Sequence, residues 1–425
     1  MKKYLTLLTR SLHAKTLKDG ILFSLFSFVN KGFKFFLILL LANYITPSEY
    51  GYLNLYMTVC MIVSYIAALS IEGYITVAYF KEGEDGLRNA FSCVLCLSLV
   101  MLLFLSLFIV CLGDTISETL ALNSFLMYLA VIGGFFGVFD SMNLNYLRIR
   151  ERVGMYGLVG CSNALINFVV SIILVKVFLY SWYGCVYAQL LCAVTFGIIG
   201  LSVFLFHGYI VKPKWEYMKS MLLWGIPLIP HHATVFIRQG LDRYIINSTH
   251  TIEDVGLFSF ALNLANIVSM IGMAFNQSNS IDIYKILGNK EMSVKEKISH
   301  LKRMRKFFVV LYIVISVISA ASCFFIVPFL LPKYEGSVRY ILILTFFAFL
   351  SCLYLVYTNY LFYFEKTKQI MQITFFSSLV HLLLSLWLTR YSLYLTAIVY
   401  VISQLIIVFF IRHQSLRILS TSNAK

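Results

Sequence analysis

Charge is what this chain has little of. Only 12% of its 425 residues are Asp, Glu, Lys or Arg, about half the 25% usual in soluble domains. That shortage excludes a string of soluble domains, a large soluble catalytic domain and a long disordered tail. Catalytic signatures are missing too. There is no phosphate-binding Gly-rich loop, no zinc motif and no Gly-x-Ser-x-Gly elbow, so the chain reads as neither a hydrolase nor a direct user of ATP, and no cofactor is expected. The nine cysteines all fall in apolar stretches. Cys93 and Cys96 have CxxC spacing but no partner pair, which reads as buried thiols rather than a zinc or redox site. No cleavable signal peptide is evident, because the first 20 residues are polar and basic and the first apolar run reads as a permanent span.

Apolar surface is what the chain has in excess: 60% of residues are hydrophobic and 16% aromatic. A spanning helix needs about 20 apolar residues, so a dozen helices would use roughly 250, leaving short loops. Hydropathy places spans near 20–41, 51–72, 90–112, 121–143, 155–178, 183–206, 220–241, 255–279, 307–331, 339–362, 370–389 and 393–411. The net charge of +15 does not indicate nucleic acid, because the basic residues sit between spans rather than in one stripe. With the N-terminus inside, 26 of the 34 Lys and Arg fall on the cytoplasmic side and 4 outside. This asymmetry predicts that both termini are cytoplasmic. Residues 284–306 form the most basic loop, read as a topogenic cluster lying on anionic lipid.

The halves resemble each other. Thr46-Pro-Ser-Glu-Tyr-Gly51 matches Thr251-Ile-Glu-Asp-Val-Gly256, and at the same offset Tyr79 falls on Tyr284. Further on, Asn145-Tyr-Leu147 with Glu151 and Arg152 matches Asn359-Tyr-Leu361 with Glu365 and Lys366, and at that offset Lys176 falls on Arg390. Six spans is an even number, so the repeat is parallel, with its axis along the membrane normal. Transporters of that kind bind substrate between the lobes, and alternating access is expected.

Intramembrane charges are the candidate functional groups. Ser24, Ser27, Lys31 and Lys34 recur along one face of span 1. Facing lipid, the two lysines would cost roughly 5–7 kcal/mol together. They must therefore face water or an anion, or pair with Glu72, Asp140 or Asp242. Span 7 carries Pro227 and Pro230, expected to bend it, then His231, Thr234, Arg238 and Asp242 along one face. Arg238 and Asp242, four apart, are positioned to pair, and snorkelling is the other reading of Arg238. Lys176 and Arg390 read as snorkelling residues. Polar stripes mark span 5 (Asn163, Asn167, Ser171), span 8 (Asn263, Asn266, Asn276, Gln277) and span 11 (Thr374, Ser378, His381, Ser385). Such side chains either join helices or line a wet interior.

The stretch Leu39-Leu-Leu-Ala-Asn-Tyr-Ile-Thr-Pro-Ser-Glu-Tyr-Gly-Tyr-Leu, running on to Ile71-Glu-Gly-Tyr-Ile-Thr-Val-Ala-Tyr-Phe80, resembles the opening of bacterial polysaccharide repeat-unit flippases. Pro227-Leu-Ile-Pro230, Gly240-Leu-Asp-Arg-Tyr244 and Val255-Gly256-Leu-Phe-Ser-Phe260 resemble the start of their second lobe. That family groups with lipid II flippases and multidrug and toxin extrusion carriers. The resemblance implies an all-α polytopic protein of about 12 transmembrane helices in two six-helix lobes, residues 1–206 and 207–425, around a cationic central cavity. It implies a bacterial inner-membrane location and an O-antigen-like oligosaccharide on undecaprenyl pyrophosphate as substrate, moved to the periplasmic leaflet. The implied partners are membrane lipids, a polysaccharide polymerase and a chain-length regulator. Lys31, Lys34, Arg238, Asn163 and Asn266 are the expected substrate-binding residues, and Glu72, Asp140 and Asp242 the expected ion-coupling ones. Glycine stands at Gly73, where such families often carry an acid. The alternative is an ion-coupled multidrug exporter, or a carrier of another lipid-linked precursor, of the same fold. An integral-membrane polymerase or ligase fits less well, because every outer loop is short.

Overall fold

The computed structural model describes residues 22, 25–26, 28–30, 32–33, 35–226, 229–289, 291–364 and 366–421. All regular structure among them is helical. In a bilayer core no water can satisfy a bare N–H or C=O, so an apolar chain of this composition closes its backbone bonds within helices.

Residues 35–44 are helical. They are followed by α1 (Pro47–Ala68), α2 (Tyr74–Leu120), α3 (Ser124–Ile149) and α4 (Val153–Ile172), which ends in a π-turn, Ile173–Val177. Next come α5 (Tyr183–Phe206) and three short helices, α6 (Trp215–Gly225), α7 (Ile229–Gln239) and α8 (Leu241–Thr249). The chain finishes with α9 (Ile252–Gly288), α10 (Val294–Leu330), α11 (Val338–Tyr363), α12 (Thr367–Leu388) and α13 (Leu393–Thr421).

Among the described residues, ten helical stretches are long and apolar enough to cross a membrane. They match ten of the twelve expected spans; the other two, 20–41 and 220–241, include residues outside the described set. The protein is a multi-pass membrane protein.

Two expected loops are helical instead. The basic segment 284–306 is largely taken up by the end of α9 and the start of α10. The reason is a capping box: Ser293 Oγ accepts from Glu296 N at 3.3 Å and Glu296 Oε2 accepts from Ser293 N at 2.8 Å, which starts α10 well before its apolar run. Residues 74–89 are likewise helical, because α2 continues beyond the expected span. Gly83, at φ 64° and ψ −138°, divides α2 into two helices. Only glycine takes that conformation without a Cβ clash.

Backbone contacts divide the described chain into two compact units. One comprises residues within Met1–Tyr44 and Leu55–His232, the other Ile45–Asn54 and residues within Ala233–Lys425. The first has a core of Phe91, Phe139, Phe204 and Met142, with Phe91 and Phe204 stacked at 4.6 Å. At one end of it Arg150 Nη2 donates to Glu84 and, at 3.2 Å, to Tyr209 Oη, while Tyr209 Oη donates to Glu84 Oε2 at 2.7 Å. The guanidinium lies 5.2 Å from the Tyr79 and Tyr146 ring centres. This clasp ties Tyr209 to α2 just after Gly83 and to the residue that caps α3. Burial first, then the Glu84 carboxylate, pushes the Tyr209 hydroxyl above its ordinary pKa.

The second unit contains the start of α1. Thr46 and Glu49 cap α1 as Thr251 and Asp254 cap α9, each threonine hydroxyl accepting from the backbone of the acid three residues on. Gly51 and Gly256 lie in contact where the two helices cross. Lipid supplies no hydrophobic drive between helices, so close approach at small residues does the packing. Tyr334 Oη donates to Ile45 O at 3.2 Å, and Asn263 Nδ2 to Tyr50 Oη at 2.7 Å.

Candidate functional site

The segment 226–250 is broken where its sequence says it should be. Pro230 lies in the first turn of α7, where its missing N–H costs nothing. Gly240, at φ −114° and ψ −49°, separates α7 from α8. The break places Asp242 in the first turn of α8 and buries it at 1% exposure. An acid is favoured there by the helix dipole.

Asp242 meets α12. Its Oδ2 lies 2.8 Å from His381 Nε2, and its Oδ1 accepts from Ser385 Oγ. His381 and Ser385 are one turn apart on α12 and so reach the same carboxylate. The Tyr400 ring of α13 stands edge-on to His381 at 5.0 Å. His381 Nδ1 lies 3.1 Å from Ser403 Oγ, while Ser403 Oγ donates to Tyr400 O at 3.0 Å. On the other side Thr396 Oγ1 donates to Thr389 Oγ1 at 3.0 Å, and Thr389 Oγ1 is 3.2 Å from Ser385 Oγ.

His381 Nε2 and the Asp242 carboxylate share this 2.8 Å contact, with the hydroxyls of Ser385 and Thr389 on one side and Ser403 on the other.

The pairing of Arg238 with Asp242 does not form among the described residues; Asp242 pairs with His381 instead. Gly240 interrupts the helix between them, so the four-residue register is lost. Arg238 is half-buried, its Nη1 3.4 Å from Gln404 Oε1. Its Nε is a buried donor without a partner among the described residues.

In the first unit Asp140 of α3 accepts from Asn163 Nδ2 of α4 at 3.0 Å. Glu72 lies in the turn between α1 and α2 and lines a cavity. Asn266 is exposed on α9. Lys31 and Lys34, with Ser24 and Ser27, lie outside the described residues, as do the side chains of His231, His232 and Gln277. Two expected polar residues join helices: Asn359 Nδ2 donates to Asn276 Oδ1 at 2.8 Å, and Asn263 bonds Tyr50. Lys176 and Arg390 are exposed, over the rings of Tyr44 and Tyr391.

The stripe on span 11 contains His381 and Ser385, but the sequence reading missed their partners. Thr396, Ser403 and Gln404 are seven and eight residues apart in an apolar run, which is two turns and therefore one face. That spacing was the available signal.

The family described as "Polysaccharide biosynthesis protein" matches residues 16–280. Protein 1 of the Lsg locus of Haemophilus influenzae is 22% identical over 381 residues, covering 86% of this chain and 90% of that protein. An uncharacterized membrane protein of the same organism is 22% identical over 382 residues, covering 86% and 88%. Among solved structures, the inward-facing conformation of a multidrug resistance MATE family transporter of the MOP superfamily is similar with a TM-score of 0.72 at 16% identity, covering 96% of this chain and 94% of that one. The outward-facing conformation of such a transporter gives 0.63 at 14% identity, covering 96% of each. At these identities the likeness is one of fold.

Proposed function

The chain belongs to the polysaccharide biosynthesis protein family, and from that premise we propose that it is a flippase for undecaprenyl-pyrophosphate-linked oligosaccharide repeat units of O-antigen type. It moves them from the cytoplasmic to the periplasmic leaflet of a bacterial inner membrane by alternating access of lobes 1–206 and 207–425, with both termini cytoplasmic. It is a transporter, not an enzyme. A polysaccharide polymerase and a chain-length regulator are its partners downstream.

The observation that carries this reading is Arg238. A half-buried guanidinium in a broken span, with a buried Nε donor still open, is costly unless it serves an anion. A pyrophosphate diester is such an anion, and guanidinium binds phosphate oxygens through paired N–H donors. Lys31 and Lys34 supply further positive charge, and Asn163 and Asn266 polar contacts. A carrier for cationic drugs would favour a net acidic path, which supports the glycolipid reading over the multidrug one.

Coupling is assigned to a proton held between Asp242 and His381. That pair offers an acid, a base and hydroxyl relays in one buried place.

The test is complementation of a deletion strain. Lys31→Ala combined with Arg238→Ala should abolish surface polysaccharide at unchanged protein level, with lipid-linked units accumulating in the membrane. Normal export by the double variant sinks the assignment. Transport into inverted vesicles should stop when the proton gradient is collapsed.

A further inference from the structure

The turn after α1 has an unusual backbone. Leu69 and Ser70, neither of them glycine, sit at φ 46° and 57°. Consecutive left-handed residues of this kind are strained and persist only where the surroundings impose them. The imposing neighbour is Gly225 of α6, where a Cβ would come within 2.6 Å of both Leu69 O and an Ile71 methyl group.

The strained turn walls a cavity of about 220 Å³. Its polar lining is Ser64, Tyr65, Ser70, Glu72 and Ser141. Ser70 Oγ and Glu72 Oε2 are buried and have no hydrogen-bond partner among the described residues. Such groups cost free energy unless a ligand or water completes them. Gly137 of α3 lines the same cavity, and a Cβ there would meet nothing within 4 Å. Its missing side chain leaves the floor open.

Size narrows the occupant. The cavity has room for several waters. That is too large for a bare ion and too small for a whole oligosaccharide, but it suits one pyranose ring. The chemistry agrees. Hydroxyls and one carboxylate present acceptors and donors to a polyol, and a tyrosine supplies an apolar-bodied wall with a polar tip. The turn also lies on the side that the Lys and Arg asymmetry assigns to the cytoplasm, where loading would occur.

We propose that this cavity is a subsite for one sugar ring of the lipid-linked substrate, with the Glu72 carboxylate and the serine and tyrosine hydroxyls of its lining taking ring hydroxyls. The assignment rests on the flippase reading above. A site built from buried polar groups rejects a ring lacking the matching hydroxyl, so it would set specificity for the repeat unit.

The probe is the oligosaccharide released by mild acid from the strain's own lipid-linked pool, titrated onto the purified full chain in nanodiscs by calorimetry. Glu72→Gln and Gly137→Leu should each weaken binding at least tenfold. Gly154→Leu, which also projects into open space but does not line the cavity, should bind as the parent does. Melting temperatures confirm folding, and Ser70→Ala, the smallest change, stands in for any variant that fails. Equal affinity in Gly137→Leu and the parent overturns the subsite. So does a melting temperature that responds to sodium over choline chloride through Glu72 while the oligosaccharide has no effect, since the cavity would then hold an ion. In cells the two readings separate. Deletion without loss of surface polysaccharide sinks the flippase reading. Deletion with loss, and full rescue by Gly137→Leu, sinks only the sugar subsite.

Discussion

Gly51 lies against the carbonyl of Ile252, and Gly256 lies against the carbonyl of Pro47, so each glycine meets the residue four positions before the other. The contact is reciprocal, each helix presenting its glycine to a backbone carbonyl in the first turn of the other. Both helices begin with the same threonine–acid cap, so the sequence repeat has a direct structural counterpart.

Gly256→Ala should therefore destabilise the protein. The new methyl would collide with Pro47 O, and overpacking of this kind costs roughly 1–3 kcal/mol. Gly137→Ala should be neutral or stabilising by up to about 1 kcal/mol, since it gains helix propensity and meets open space. Thermal unfolding in detergent compares the two. Equal melting temperatures would mean that the crossing is not tightly packed.

Asp242 and His381 should be energetically coupled. His381→Ala leaves a buried carboxylate without its principal partner, at a cost of roughly 3–5 kcal/mol. Combining it with Asp242→Asn should recover part of that loss, because the charge is gone. A double-mutant cycle should give a coupling of about 1–3 kcal/mol. Additive losses would separate the two residues.

The cap at Ser293 should act locally. Ser293→Ala removes the hydroxyl that accepts from Glu296 N, worth about 1 kcal/mol to the helix start. Hydrogen exchange of the amides of residues 295–297 should quicken about fivefold, with export unchanged. Unaltered exchange would show that α10 starts without its cap.

The Arg150 clasp should tie down its linker. Lysine keeps the charge but loses the planar fork that bonds Glu84 and Tyr209 and covers two tyrosine rings. Arg150→Lys should thus speed tryptic cleavage after Lys214. Cleavage at the parental rate would make the clasp incidental.

The pattern of residues showed the helices and the repeat because both are local or periodic. Apolar runs of about 20 residues can only span, and Thr46-x-x-Glu49 and Thr251-x-x-Asp254 carry their caps with them. Helix ends were less legible. Ser293-x-x-Glu296 extends α10 into what read as a basic loop, and Gly83 divides a helix that hydropathy treats as one span and a loop.

The site divided in the same way. Composition and spacing alone determined that charges at bilayer depth need partners, and pointed to Arg238, Asp242 and the His381 stripe. Only the tertiary structure decided who partners whom. Asp242 turns to His381 and Ser385, 139 and 143 residues away in sequence, because Gly240 breaks the helix that would have held it beside Arg238. A pairing energy depends on distance in space, and one glycine changes that distance without changing any charge.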